Sequence, residues 1–256
     1  MPPQQRDRPR EMQSTEPDFA GAVLDLPANS SVHLWRAAIA AADVAFMNGI
    51  LSEEEHQRAA RYRFERDRRE FKVARAMLRL TLAAYTGKPA ASLCFQHGPG
   101  GKPSLEGGVQ FNLSHAGGVV LIAVARLPVG IDVERVNPHF DWEPIARQFF
   151  SEVERDWIGA RPAEVRTASF FRCWTRREAY VKARGRGVPT EGACGLATTM
   201  QADDHNWTIA SCVPFPEYIG AVAAQTEGLA IQIFDWPPPE LRENYSAPEH
   251  PRNLCG

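Results

Sequence analysis

The sequence predicts an α/β chain of the α+β kind, built from two similar units that each run from helices into strands. Three observations carry this reading. Phe71, Ala74, Met77, Leu78, Leu82 and Tyr85 form a stripe with the 3.6-residue helical period. Short apolar runs follow, separated by Gly-Pro and Gly-Gly, which is strand punctuation. The helix-then-strand order then recurs between Trp142 and Phe234, with no obvious sequence identity between the halves. The units meet near Leu127–Gly130, and a cleft between two units is where a ligand is expected.

The elements can be justified in order. Residues 1–20 are rich in Pro, Arg, Gln and Glu and read as a flexible tail; residues 237–256, from Pro237-Pro238-Pro239 onward, read the same way. Subdomains are expected over 21–128 and 129–236. Val32–Ile39 reads as a strand. Ser52-Glu53-Glu54-Glu55 is a capping-box pattern that opens a helix. A second helix, Arg66–Tyr85, stops at Gly87-Lys88-Pro89. Strands are expected at Ser92–Gln96, Val109–Leu113, Val119–Arg126 and Val129–Val136, then helices at Trp142–Phe149, Ser151–Gly159 and Pro162–Arg184. Strands near Trp207–Val213, Ile219–Gln225 and Leu229–Phe234 close the body.

Of 256 residues, 44% are hydrophobic and 23% charged, an ordinary globular profile. The net charge of −2 gives no global basic field for nucleic acid or a membrane surface. Val119–Ala125 is the longest apolar run, too short to span a bilayer, and the first residues contain no secretory h-region. Cys94, Cys173, Cys194, Cys212 and Cys255 show no metal-ligand spacing and fit reduced thiols in a cytoplasmic protein.

Three segments carry chemistry. Asp132 and Glu134, at i, i+2 in Gly130-Ile131-Asp132-Val133-Glu134, point the same way from a strand. They are either two solvated acids on a sheet edge or an all-oxygen set suited to Mg²⁺, with Mn²⁺ as the alternative. Trp174, Glu178 and Lys182 fall on one helix face. Taken alone, Glu178 and Lys182 are a surface ion pair. The glycine turn with arginines that follows, Arg184 to Gly187, suits phosphate oxygens. The segment from Gly98 to Gly118 presents Lys102 on a Gly-Lys-Pro turn and ends a strand at Asn112, Ser114 and His115. His115 is either a core or capping histidine or a ligand contact, since glycines on both sides let a ligand approach the backbone. No GxxxxGK[ST] is present. The many arginines of 57–79 read as a mostly solvated face, interleaved with Glu54, Glu55, Glu65, Asp67 and Glu70.

These motifs, in this order, resemble the Sfp-type 4′-phosphopantetheinyl transferases. Gly101-Lys102-Pro103 with Phe111-Asn112-Leu113-Ser114-His115, then Gly130 to Glu134, then Trp174 to Ala183, carry the resemblance, which covers roughly 30–234. It implies two pseudo-symmetric subdomains with coenzyme A and Mg²⁺ in the cleft between them. The implied reaction moves 4′-phosphopantetheine from coenzyme A to a serine of an apo acyl or peptidyl carrier protein and releases adenosine 3′,5′-bisphosphate. Such carriers serve fatty acid, polyketide and nonribosomal peptide synthesis, and a monomer suffices because the duplicated halves complete one site. By resemblance, Asp132, Glu134 and Glu178 hold the metal, and Glu178 also helps deprotonate the serine. Lys182 stabilises the departing phosphate. Lys102, Pro103, Ser114 and His115 contact coenzyme A, with His115 also counted among the catalytic groups and Asp132 among the cofactor contacts. Arg58 and Arg61 are assigned to the 3′-phosphate. Glu154 matches an extra acid credited in some relatives, and Arg177 stands where many relatives have Lys, so it receives no catalytic role. Two other readings fit the residues less fully: a non-catalytic relative that binds carriers, and another Mg²⁺-dependent phosphate enzyme.

Overall fold

The computed structural model describes residues 24–39, 47, 49–98, 100–185 and 195–237. The expected tails over 1–20 and 237–256 lie outside these apart from Pro237, as do Arg186, Gly187, Cys194 and Cys255. The first unit contains β1 (Ser31–Ala38), α1 (Glu53–Ala60), α2 (Glu65–Thr86), a 3-10 turn (Ala90–Ser92), the hairpin β2 (Gln96–His97) and β3 (Pro103–Ser104), then β4 (Gln110–Ala116) and β5 (Val119–Ala125). The second contains β6 (Val129–Arg135), α3 (Glu143–Phe149), α4 (Glu152–Gly159), α5 (Ala163–Arg184), β7 (Thr199–Ala202), β8 (His205–Cys212) and β9 (Tyr218–Ala224). The chain ends its described part in β10 (Ala230–Asp235).

Two four-stranded sheets, ordered β10-β1-β5-β4 and β6-β9-β8-β7, pack face to face, and each carries one long helix on its outer face. The alternation of β5 shows how one strand serves two layers. Val120, Ile122 and Val124 face α2, while Val119, Leu121, Ala123 and Ala125 face the other sheet. In β9, Ala221 and Ala223 face α5, and Val222 and Ala224 face the first sheet. The core between the sheets is thus filled by β-branched and small residues from both. Each buried Val, Leu or Ile contributes about 1.5–3 kcal/mol.

The helices α2 and α5 correspond. Each has 22 residues and ends on a glycine in the left-handed region, Gly87 (φ 66°) and Gly185 (φ 62°). The capping boxes expected at Ser52 and Ser151 are both formed. Among the described residues no helix is long and apolar enough to cross a membrane.

Two expectations need correction. The last strand was grouped with the second unit, yet β10 pairs in parallel with β1 and completes the first sheet. Its buried residues explain this: Ile233 enters the core between the sheets and Phe234 the core under α2. Residues 92–95 are not a strand; the chain makes a 3-10 turn and then the short β2 pairs with β3 across the Gly98–Lys102 turn. As expected, most arginines of 57–79 are solvated, but two are drawn inward. Arg75 and Arg79 are held by the buried Glu55, with the Arg79 Nε donating at 2.6 Å and its Nη1 serving the carbonyls of Ala90 and Leu93. Their helical spacing put them on the inner face, but only the fold shows that Glu55 waits there.

Gly130 is where α5 meets β6. A Cβ at this position would lie 2.1 Å from the Ala179 carbonyl oxygen and 2.3 Å from the Ala183 nitrogen, both backbone atoms of α5. Gly130→Ala should therefore destabilise the protein by about 1–3 kcal/mol. Urea unfolding checks this, and an unchanged midpoint would show that α5 does not rest on this strand.

Candidate active site

The site lies where the free edge of β6 meets β4. β6 is an edge strand, paired only with β9. Its outward main-chain groups are taken up by side chains of the first unit: Ile131 N–H donates to the Asn112 Oδ1 at 2.9 Å, and the Lys102 Nζ donates to the Val129 carbonyl at 2.9 Å. The strand period then sends Val129, Ile131 and Val133 into the core between the sheets. Gly130, Asp132 and Glu134 are left facing α5. The tight contact at Gly130 brings the helix close enough for its side chains to reach those two acids.

The middle of α5 is buried nearly all round, whereas Trp174, Glu178 and Lys182 remain half-buried along one stripe. This is the shared face that the sequence spacing predicts. Lys182 Nζ donates to Asp132 Oδ1 at 2.6 Å and to Ser114 Oγ at 3.2 Å, and Ser114 Oγ donates to the same Asp132 oxygen at 3.0 Å. The Trp174 indole N–H faces Glu134 and favours its ionised form. So the partner of Lys182 is Asp132 on the strand, not Glu178 one turn away on its own helix. Lys182 crosses to the strand, and three elements (β4, β6 and α5) share one polar cluster.

The electrostatics of this cluster are unfavourable to its acids. Burial pushes Asp132 upward, opposed by the Lys182 ammonium. Burial, then the nearby Asp132, pushes Glu134 up to about 7, with Glu178 adding to the rise. Glu178 is raised by burial and by Asp132, with Lys182 and Arg177 opposing. Each acid therefore makes its neighbours harder to ionise.

The residues expected to contact coenzyme A divide into two groups. His115, Arg58, Gly101, Pro103, Asn112 and Arg75 line a cavity of about 190 Å³. His115 Nδ1 lies 4.0 Å from Glu70 Oε2; burial lowers its basicity, Glu70 raises it and Lys182 lowers it further. Arg58 lies over the Phe71 ring, 5.5 Å from its centroid. Arg61 is the exposed C-cap residue of α1. Lys102 turns the other way. Its ammonium sits on the carbonyls of Val129 and Ala183, at 2.9 and 3.0 Å.

Glu154 is removed from the site altogether. Fully buried, it accepts from Ser151 N–H and Oγ and from Gly195 N–H, and Arg177 approaches it at 4.0 Å. It is the N3 member of a capping box, which the Ser-x-x-Glu spacing of 151–154 already signals. Sequence reasoning missed Asn112 as the partner of the β6 edge and Glu70 as the acid beside His115. Neither has a local signal, because both act across more than 18 residues.

Among the described residues, no three His, Cys, Asp or Glu side chains form a ready-made metal cluster. The donor set nevertheless fits a hard divalent cation. Asp132 Oδ2 is buried with no hydrogen-bond partner, beside two further carboxylates that repel it. An all-oxygen set with one unused buried oxygen suits Mg²⁺.

Comparison with known proteins places the chain in a family. Residues 128–218 match the model of the 4′-phosphopantetheinyl transferase superfamily, and residues 34–126 match that of the 4′-phosphopantetheinyl transferase N-terminal region. The chain is 33% identical over 223 residues to the 4′-phosphopantetheinyl transferase HetI of Nostoc sp., covering 82% of this chain and 91% of that protein. It is 33% identical over 143 residues to the 4′-phosphopantetheinyl transferase gsp of Aneurinibacillus migulanus, covering 56% of this chain and 60% of that protein. With the 4′-phosphopantetheinyl transferase Sfp of Bacillus subtilis (strain 168) it shares 26% over 141 residues, covering 54% of this chain and 62% of Sfp. The extent of the match to HetI, together with both family models, shows that the chain belongs to the Sfp-type 4′-phosphopantetheinyl transferases, a family of enzymes.

Proposed function

We propose that this enzyme transfers 4′-phosphopantetheine from coenzyme A to a serine hydroxyl of an apo acyl or peptidyl carrier protein, with Mg²⁺ held by Asp132, Glu134 and Glu178. The observation that carries the reading is the unpartnered Asp132 Oδ2 amid three mutually repelling carboxylates, next to the Lys182 ammonium. When bound, the cation would neutralise charge on the pyrophosphate oxygens.

The chain's own groups supply the rest. The serine oxygen forms a bond to the phosphorus that carries pantetheine, and the phosphoanhydride bond to adenosine 3′,5′-bisphosphate breaks. Glu178 takes the serine proton; burial raises its affinity for protons and so makes it a better base near neutral pH. Lys182 is anchored by Asp132 and Ser114 and stabilises the departing phosphate. His115 and Arg58 line the cavity that suits the nucleotide end. Arg61, exposed at the end of α1, is assigned to the 3′-phosphate more peripherally. Mn²⁺ has the same preference for oxygen ligands and is the expected substitute.

Glu178→Gln should lower kcat for transfer about 100-fold or more without lowering the thermal unfolding midpoint. Intact-mass analysis of an apo carrier protein with coenzyme A and Mg²⁺ reads this directly, and wild-type turnover would remove Glu178 from the base role. Asp132→Asn should raise the Mg²⁺ concentration needed for half-maximal rate. A rate deficit that no added Mg²⁺ or Mn²⁺ reduces, together with lowered stability, would make Asp132 a structural residue instead.

Glu134 also predicts a pH dependence of stability. Its pKa rises from 4.5 in the unfolded chain to about 7 in the fold, so the folded state binds the extra proton between those values. The contribution is fully present below pH 4.5 and disappears as pH rises through about 7. In EDTA, Glu134→Gln should gain stability relative to wild type across that window, as measured by denaturation at each pH. Parallel curves would show that Glu134 is not held in this environment.

A further inference from the structure

We infer that Lys102 is a positioning residue that ties the hairpin wall of the substrate cavity to the helix carrying Glu178 and Lys182. The inference rests on the transfer reaction proposed above. Within the Gly-Lys-Pro turn, Gly101 and the Lys102 side chain serve different cavities. Gly101 lines the cavity shared with His115 and Arg58, and Pro103 borders both that cavity and the next. The Lys102 side chain instead borders a separate cavity of about 560 Å³, with Ala183, Arg184, Gly185 and Trp207.

Its two acceptors are specific. Ala183 O is one of the last carbonyls of α5, which have no partner within the helix. Val129 O lies on the free edge of β6, immediately before Gly130, on which α5 rests. One ammonium therefore bridges the two elements that hold every acid of the site. A cation at this end also suits the helix dipole. The Lys102 stem passes 3.5 Å from where a Cβ of Gly185 would lie, so it covers the C-cap as well. Gly101, in the left-handed region at φ 74°, with its N–H donating to the Gly98 carbonyl at 2.8 Å, shapes the turn that aims the side chain this way. Burial pulls the ammonium down to about 8, as expected for a lysine whose acceptors are carbonyls and not a carboxylate.

A phosphate contact and a positioning role predict different kinetics. The test compares wild type with Lys102→Met in the full chain, using coenzyme A, dephospho-coenzyme A and an apo carrier protein. A positioning role predicts kcat down about tenfold. It also predicts KM for coenzyme A, and the preference for coenzyme A over its dephospho form, within about twofold of wild type. Hydrogen exchange of the α5 amides from Ala179 to Gly185 should become faster. A tenfold rise in KM with loss of that preference would overturn the proposal in favour of a phosphate contact. Unchanged kcat and unchanged exchange would overturn it too. Should Lys102→Met fail to fold, Lys102→Arg keeps a donor for the carbonyls and should retain the preference for coenzyme A; its loss would overturn the proposal. If wild type transfers nothing to any carrier, the transfer reading fails alone, and the exchange measurement still decides what Lys102 does.

Discussion

Helix α5 lies on β6 more closely than any side chain at the crossing would permit, and Gly130 is the residue that allows it. Moving the helix outward by the depth of one methyl group would stretch the 2.6 Å contact between Lys182 and Asp132, and with it the contact to Ser114. The same closeness excludes water from Asp132 and raises its proton affinity. A packing constraint at one glycine therefore sets both the geometry and the electrostatics of the site. Asn112 and Lys102 act on the other edge of the same strand, replacing the ladder hydrogen bonds that an edge strand lacks.

Much of this is legible in the sequence because it is local. The stripe from Phe71 to Tyr85 gives α2, and the spacing of Trp174, Glu178 and Lys182 gives the half-buried face of α5. The i, i+2 spacing of Asp132 and Glu134 correctly places both acids on the face turned toward that helix. What escapes the sequence is pairing between distant segments. That β10 joins β1 depends on which sheet offers an open edge, and nothing within residues 230–235 states this. Glu55 reads as a solvated acid in a capping box, yet it serves as cap and as partner to Arg75 and Arg79 simultaneously. Lys102 reads as a free cation on a glycine turn, and only the approach of β6 and α5 shows that its charge already has two acceptors.

The buried polar groups divide into those that are satisfied and those that are not. Glu55 and Glu154 have their hydrogen bonds filled by the neighbours described above, and Arg176 donates to Ser211 Oγ and the Ala197 carbonyl; these groups hold elements together. Asp132 has one filled oxygen and one empty oxygen, and Glu134 and Glu178 are pushed away from their ordinary proton affinity. Natural proteins rarely leave a buried carboxylate oxygen unpaired without a use for it. This contrast separates structure from chemistry more sharply than residue type does, since the buried Glu154 and the half-buried Glu178 are both glutamates near Arg177.

The acids also explain why the lysine sits where it does. A pyrophosphate approaching three carboxylates would meet repulsion from each of them, so a site of this composition handles an anionic substrate only with added positive charge. Lys182 supplies part of it, and it is held on Asp132 and Ser114 on the side of the cluster nearest β4. β4 is also the strand that carries His115 into the cavity with Arg58. Arg58 thus lies on the first unit's side, while Lys182 and the carboxylates belong to α5 and β6 of the second unit. On the proposed reaction, the nucleotide end would lie toward Arg58 and the pyrophosphate toward Lys182.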